Sequence, residues 1–243
     1  GYDSICAIDT SDSLWCWGHN DYRKAGTGNV ESYPTLPEMV LIDSNETIAD
    51  VAIGYNHKCA LTHSNQIYCW GDNTYGQLGH NSAMQSYIPT KIEIKDGINP
   101  VSISGKNHYN CILTDMGAVY CWGRNNNGQI GDGTQTDRFE MVQAMLPYSD
   151  PAVSVKAGYE HTCALLKSGT MKCWGYNQYG QLGGLFDNPT IIKFPIEVQS
   201  LPIEPIDFDL GYTHTCVILK IQSIKCWGYN GYGQFGNGDT YST

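Results

Sequence analysis

The sequence predicts an all-β fold, a β-propeller of four-stranded blades with five repeat units, of which the first and last are incomplete. Three observations predict it. Ten cysteines fall into five pairs, each 10 positions apart, and the first members of successive pairs follow at 53, 52, 52 and 53 residues. Every second cysteine opens a Cys-Trp-Gly tripeptide. Short runs of alternating apolar and polar residues fill each unit, and no convincing 3.6-residue periodicity appears. Four short strands in about 52 residues is the period of a propeller blade. A single blade cannot cover both of its faces, so it must stack on its neighbours.

The elements follow in order within a unit, as the fourth illustrates. Residues 163–166 read as one short strand, 167–169 as a turn with Gly169 where positive φ is needed, and 170–174 as the returning strand. That three-residue loop sets Cys163 directly opposite Cys173, within disulfide reach. The same reading pairs Cys6 with Cys16, Cys59 with Cys69, Cys111 with Cys121 and Cys216 with Cys226. Residues 190–194 and 205–210 complete four strands. The nearest helical candidate, 140–146, is too short. The repeated Trp supplies an apolar plate for blade-to-blade packing.

The motif around the hairpin is Gly-x-x-His, then Trp-Gly-x-Asn (Asn20, Asn73, Asn125, Asn177, Asn230), then Gly-Gln-apolar-Gly beginning at Gly76, Gly128, Gly180 and Gly233. These residues resemble the repeats of the RCC1 (regulator of chromosome condensation) superfamily, in its secreted, cysteine-paired form. The resemblance runs the whole chain and implies a propeller, usually of seven blades. It implies no catalytic residue, because the shared positions are structural. Relatives range from nucleotide exchange on a small GTPase to enzyme inhibition and binding modules.

One domain over residues 1–243 is expected, in units 1–53, 54–104, 105–157, 158–210 and 211–243. Seven blades would need about 364 residues, so the chain reads as an arc of a longer propeller, the favoured expectation, or as a small ring completed by exchanged strands. Gly1 aligns with Gly54, Gly105, Gly158 and Gly211, so the first unit lacks its leading strand and the fifth its trailing one. The first unit is also degenerate, with Arg23-Lys24-Ala25-Gly26 in place of Gly-Gln-Leu-Gly and Ser4 in place of the histidine.

Composition narrows the function classes. The 24 acidic and 14 basic residues give a net charge of −10. With no Lys/Arg cluster, electrostatically driven nucleic-acid binding is not expected. No apolar run reaches the ~18 residues of a membrane span, so no membrane insertion is expected. Ten paired cysteines point to an oxidising compartment, hence a secreted or extracellular protein, and disfavour intracellular nucleotide exchange. Asn45-Glu46-Thr47 is an N-glycosylation triplet.

Chemistry is sparse. His57, His108, His161 and His214 recur at matched positions, which suits packing rather than catalysis. His19, His63 and His80 are singletons expected in solvated loops. Asp207 and Asp209 lie on an alternating strand and read as a polar face rather than a cation site. No nucleophile elbow, Walker A or His-Glu-x-x-His motif occurs. No catalytic residue, metal or cofactor is expected. The residue before Gly-Gln is Tyr75, Asn127, Tyr179 and Tyr232, with Tyr22 aligned in the first unit. The residue after Trp-Gly varies: His19, Asp72, Arg124, Tyr176 and Tyr229. Variable, aromatic positions at equivalent loop sites suit a binding rim, and packing of these rings between blades is the competing reading. The expected function is a secreted, non-enzymatic binding or structural module at the cell surface or outside the cell. Its partner would be a protein or further copies of the chain, with a glycan stacked on Tyr faces also open. The alternatives are a regulator or inhibitor of a partner enzyme and a head-to-tail subunit of a filament or sheath.

Overall fold

The computed structural model describes residues 3–28, 32–43, 45–184, 189–199, 201 and 203–242. Apart from one 3-10 turn the described residues are all-β, in five antiparallel sheets, three-stranded at the first and last and four-stranded between, the propeller-blade pattern that the repeats predict. The first sheet holds β1 (Ser4–Ile8), β2 (Leu14–Gly18) and β3 (Glu38–Met39). The second orders β4 (Ile48–Ile53), β5 (His57–Thr62), β6 (Ile67–Gly71) and β7 (Ser86–Lys91). The third holds β8 (Pro100–Lys106), β9 (Tyr109–Thr114), β10 (Val119–Gly123) and β11 (Arg138–Gln143). The fourth holds β12 (Ala152–Ala157), β13 (His161–Leu166), β14 (Met171–Tyr176) and β15 (Ile191–Glu197). The fifth holds β16 (Pro205–Leu210), β17 (His214–Leu219) and β18 (Ile224–Gly228). Among the described residues the leading strand of the first sheet and the trailing strand of the fifth are absent. Gly1, aligned by sequence with the other repeat glycines, lies outside the described residues. The segment 140–146, the nearest helical candidate, lies largely in β11.

The chain forms two compact units. One is Gly1–Met116 with Tyr120–Arg124 and Asp137–Val142; the other is Gly117–Val119, Asn125–Thr136 and Gln143–Thr243. The first contains the sheets β1–β3 and β4–β7 together with β8 and β9. The second contains the sheets β12–β15 and β16–β18.

In each hairpin the cysteines face each other across the pair: Cys6↔Cys16, Cys59↔Cys69, Cys163↔Cys173 and Cys216↔Cys226 are register partners. All five disulfides form, Cys111–Cys121 included, and no cysteine is free. The leading strands depart from strict alternation. Register shifts fall between Ile48 and Asp50, Pro100 and Ser102, Ala152 and Ser154, and Pro205 and Asp207. A bulge turns one side chain out of phase, which is why Ile206 is exposed beside the exposed Asp207 while Phe208 is buried.

Successive repeats are joined at one carbonyl. Trp70 Nε1 and Lys58 Nζ both donate to Lys24 O, at 3.0 and 2.6 Å. Trp122 Nε1 and Asn110 Nδ2 donate to Gln77 O at 3.0 and 2.9 Å. Trp174 Nε1 and Thr162 Oγ1 donate to Gln129 O at 2.8 and 2.7 Å, and Trp227 Nε1 and Thr215 Oγ1 to Gln181 O at 3.0 and 2.8 Å. The indole then lies against the glycine that closes the preceding Gly-Gln-apolar-Gly, or Arg23-Lys24-Ala25-Gly26 in the first repeat. A Cβ on Gly26, Gly131 or Gly183 would stand 2.3–2.8 Å from the Nε1 of Trp70, Trp174 or Trp227, so no larger residue fits. The buried indoles belong to clusters such as Leu61, Ile67, Leu78, Ile92 and Trp122 in the first compact unit, and Leu182, Val198, Phe208, Val217 and Trp227 in the second.

The shared carbonyl yields a test. Thr162→Val and Trp174→Phe each leave Gln129 O one partner, whereas the double variant strands a buried acceptor. Urea unfolding should show the double variant losing about 1–2 kcal/mol more than the two single losses combined; simple additivity would mean that the carbonyl is not the joint.

Candidate binding surface

Two loops meet at one end of each sheet. The Gly-x-x-His loop precedes the first hairpin strand, and the segment after Trp-Gly leaves the second. Main-chain bonds tie them: Asp72 N–H to Asn56 O at 2.9 Å, Arg124 N–H to His108 O at 2.9 Å, Tyr176 N–H to Glu160 O at 2.9 Å and Tyr229 N–H to Thr213 O at 2.8 Å. The Trp-Gly glycine permits this approach. Gly71, Gly123, Gly175 and Gly228 have φ between 103° and 108°, and a Cβ there would stand 2.4–2.6 Å from a main-chain carbonyl oxygen.

The repeated Asn and Gln are internal clasps. The Oδ1 of Asn20, Asn73, Asn125, Asn177 and Asn230 accepts the main-chain N–H five residues on, at 2.8–3.0 Å. The Oε1 of Gln77, Gln129, Gln181 and Gln234 accepts the N–H two residues back, at 2.8–3.0 Å. Among the side chains between these clasps, Tyr179 and Tyr232 are exposed.

In the second compact unit those side chains form a tyrosine group. Tyr179 and Tyr229 meet edge to face with ring centroids 5.0 Å apart, and Tyr229 meets Tyr232 at 5.9 Å. Tyr159 and Tyr212 stack at 3.7 Å. Burial and the proximity of Tyr179, Glu160 and Tyr212 raise the Tyr176 phenol pKa, and its hydroxyl donates to Gln178 Oε1. Tyr232 is 87% exposed and Tyr212 59%. Of the sequence-expected rim residues, Tyr179 and Tyr232 thus join through Tyr229. Tyr22 is exposed on a one-turn 3-10 segment with φ of 58°, Tyr75 is half-buried and Asn127 is buried. Tyr159 and Tyr212 were not among the expected rim. The available signal was Tyr in second place of Gly-x-x-His at Tyr55, Tyr159 and Tyr212, with Lys106 as the exception.

The first compact unit carries a different group, made by an irregularity. His57, His161 and His214 pair in register with Gly71, Gly175 and Gly228. The sequence places His108 in the same series, and the structure corrects this. Gly105 to Cys111 holds one residue more than Gly54 to Cys59, so Tyr109 lies against Gly123 and His108 is pushed into the loop. There its ring lies 5.1 Å from Tyr75 and 5.6 Å from Tyr55, and Nδ1 is 3.9 Å from Asp72 Oδ2. Arg124 stacks on Tyr75 with its guanidinium carbon 5.0 Å from the ring centroid. Burial holds the His108 pKa below the ordinary imidazole value; Asp72 opposes this and Arg124 adds to it. Asp72 is itself held by Thr74 and Gln77.

The remaining histidines are structural or paired. His57 and His161 are fully buried, and their Nε2 atoms lie 3.0 Å from Asn110 Oδ1 and Thr215 Oγ1 of the next repeat. His19 contacts Asp21 at 3.0 Å and Lys24 Nζ at 3.2 Å, so it is less solvated than expected. His63 faces Asp12 at 3.4 Å and His80 contacts Thr90 O at 3.2 Å. Asp207 is held by Lys156 at 3.0 Å, which leaves it a poor cation ligand. Asn45 is exposed in a turn closed by Glu46 N–H to Asp43 O at 2.9 Å.

This arrangement has known counterparts. The profile of the Regulator of chromosome condensation (RCC1) repeat matches residues 11–61, 64–113, 116–165 and 168–218. The chain belongs to the RCC1 repeat family. A second RCC1 repeat profile matches 48–77, 101–129, 152–181 and 206–234, ranges that run from the leading strand into the Gly-Gln clasp. The RCC1 repeats here are 30% identical over 242 residues to the ultraviolet-B receptor UVR8 of Arabidopsis thaliana, covering 98% of this chain and 54% of the receptor. They are 32% identical over 209 residues to the probable E3 ubiquitin-protein ligase HERC4 of Rattus norvegicus, covering 84% of this chain and 20% of that protein. The chain therefore spans about half or less of the length of these relatives. Human WBSCR16 superimposes with a TM-score of 0.88 at 22% identity, over 100% of this chain and 64% of that one. Yeast RCC1 (Prp20) superimposes at 0.82 with 20% identity, over 94% and 54%. Both structures share the RCC1 fold.

Two buried groups in the second RCC1 repeat make stability depend on pH. Burial lowers the His57 pKa from 6.5 to about 4 and, with Lys24 adding repulsion, the Lys58 pKa from 10.5 to about 7. Below pH 6.5 the unfolded His57 takes a proton that the folded one refuses, so stability falls toward pH 4. Between pH 7 and 10.5 the unfolded Lys58 is charged and the folded one neutral, so stability rises with pH. Urea unfolding should give a loss of roughly 1–2 kcal/mol from pH 7 to 5 through His57. Lys58→Thr, which installs the residue found at Thr162 and Thr215, should flatten the rise from pH 7 to 9. An unchanged slope in that variant would remove Lys58 as its source.

Proposed function

We propose that this protein is a secreted, non-enzymatic RCC1-type propeller whose aromatic loop surface binds a partner protein. The observation that carries the reading is the tyrosine group around Tyr229. Its rings are large, amphipathic and partly exposed, and they are presented by loops whose main chain is clamped by Asn177, Gln181, Asn230 and Gln234. Rigid aromatic side chains offer contact area at low cost in conformational entropy, and such residues dominate binding energy at protein interfaces. Yeast RCC1 (Prp20) is itself described in complex with Kap60, and Prp20p as binding Gsp1p and histones. Those partners belong to those proteins; they support only the use of such a propeller as a protein-binding scaffold. Five disulfides and no free cysteine support an oxidising, extracellular setting.

Capture from the extracellular fraction of the native source tests the binding reading. Tyr229→Ala should weaken capture about 30-fold, the loss of ~2 kcal/mol expected of a central aromatic anchor. Tyr148→Ala, exposed and outside the group, should leave it unchanged. Equal effects of the two substitutions, or none from either, would reject the reading. Glycosylation has its own readout. Expressed through a eukaryotic secretory pathway, the wild-type chain should carry a glycosidase-sensitive mass increase that Asn45→Gln abolishes; an unmodified wild-type chain would remove Asn45 as an acceptor.

A further inference from the structure

We propose that the tyrosines around Tyr229 form a receptor for cationic side chains, fitted to an arginine-bearing segment of a partner protein. The proposal rests on the protein-binding reading above and names the chemistry of what is bound.

The molecule contains its own template for this contact. In the second repeat the residue before Gly-Gln is Tyr75, and the residue after the next Trp-Gly is Arg124, whose guanidinium lies 5.0 Å above the Tyr75 ring. The same two positions are Asn127 and Tyr176 one stage later in the repeat series, and Tyr179 and Tyr229 two stages later, between the fourth and fifth repeats. Here a second ring replaces the guanidinium, with centroids 5.0 Å apart. Among the described residues no cation lies over Tyr179, Tyr229 or Tyr232. Elsewhere such contacts are made by Arg124 on Tyr75, Arg23 on Tyr87 at 4.9 Å and Lys156 on Phe208 at 5.4 Å. Loop positions that elsewhere in this chain pair a tyrosine with a guanidinium therefore carry, in the second compact unit, tyrosines with no cation over them among the described residues.

Ring geometry and charge select the same occupant. The plane of Tyr229 meets those of Tyr179 and Tyr232 at 60° and 74°. Tyr232 is 87% exposed, so its ring is accessible to a cation from solvent. The quadrupole of each ring presents negative charge at its face. Glu160 adds a carboxylate close to Tyr176, and the chain as a whole carries a net charge of −10. An approaching basic segment is thus drawn in at long range and held at short range by the rings.

NMR titration of the whole chain with an acetylated, amidated Gly-Arg-Gly-Arg-Gly peptide tests this. Its citrulline counterpart, equal in shape and uncharged, serves as the comparison. The arginine peptide should bind about 10-fold tighter, as a desolvated cation–π contact implies, and should shift the ring signals of Tyr179, Tyr229 and Tyr232. Tyr179→Phe and Tyr232→Phe should keep that preference because the ring remains, and Tyr179→Leu and Tyr232→Leu should abolish it; near-ultraviolet circular dichroism identifies any variant that fails to fold. Equal affinity for the two peptides, no binding of either, or preference for a β-linked oligosaccharide probe overturns the cationic assignment. If in that case Tyr229→Ala still weakens capture of the native partner, the protein-binding reading stands and only its chemistry changes. If capture too is unaffected, both fall.

Discussion

One main-chain carbonyl in each of four successive repeats accepts two hydrogen bonds from the repeat that follows, one from an indole and one from the side chain preceding the first cysteine. Both lone pairs of a buried oxygen are used, so nothing at this point needs water. The second donor is Lys58, Asn110, Thr162 or Thr215, which places the constraint on the acceptor rather than on the donor. Much else depends on it. The indole can reach the carbonyl only if a glycine lies beneath it, and the clasping Gln is held where its own carbonyl points at the next repeat. His57 and His161 add a second bond to the same donors, Asn110 and Thr215. The recurring motif is thus a set of mutually dependent contacts around a single oxygen.

This division of labour separates stability from recognition. Polar residues of the motif look inward: Asn73, Gln77, Asn125, Gln129 and Gln181 are buried and satisfy main-chain groups. Three positions per repeat are released from that duty, namely those after the first glycine, after Trp-Gly and before Gly-Gln. They can change without loosening the joint, which is how a rigid scaffold carries variable loops. The two compact units have used this freedom differently. One gathers Tyr55, Tyr75, His108, Arg124 and Asp72; the other gathers tyrosines almost exclusively.

Sequence periodicity exposes the hairpins, the disulfides and the strand at Pro205–Leu210 because each rests on local spacing. It hides what depends on apposition between repeats. Tyr159 and Tyr212 are 53 residues apart and stack, and nothing in either neighbourhood announces the other. It also misplaces His108, for a specific reason. Gly54 and Gly105 are 51 residues apart where the other repeat glycines are 53 apart, and with the extra residue between Gly105 and Cys111 the cysteine interval stays at 52, so the irregularity leaves no trace in the cysteine spacing. The out-of-phase Ile206 escapes for a related reason: a bulge inserts a step that two-residue alternation cannot register. Asn127, read as a rim residue by alignment, is buried because its short side chain does not project as tyrosine does at the same place.

Each disulfide lies inside a single hairpin, with partners 10 residues apart. A loop of that size closes in roughly 10–100 ns, whereas a cysteine of any other repeat is more than 40 residues away along the chain. The correct partner is therefore also the one met most often, and a hairpin can be sealed while later repeats are still being synthesised. Ten cysteines would otherwise invite mispairing and dependence on isomerases. Confined to their own turns, they make oxidation a sequence of independent, self-correcting local steps, and the fidelity of the whole chain no longer scales with the number of its thiols.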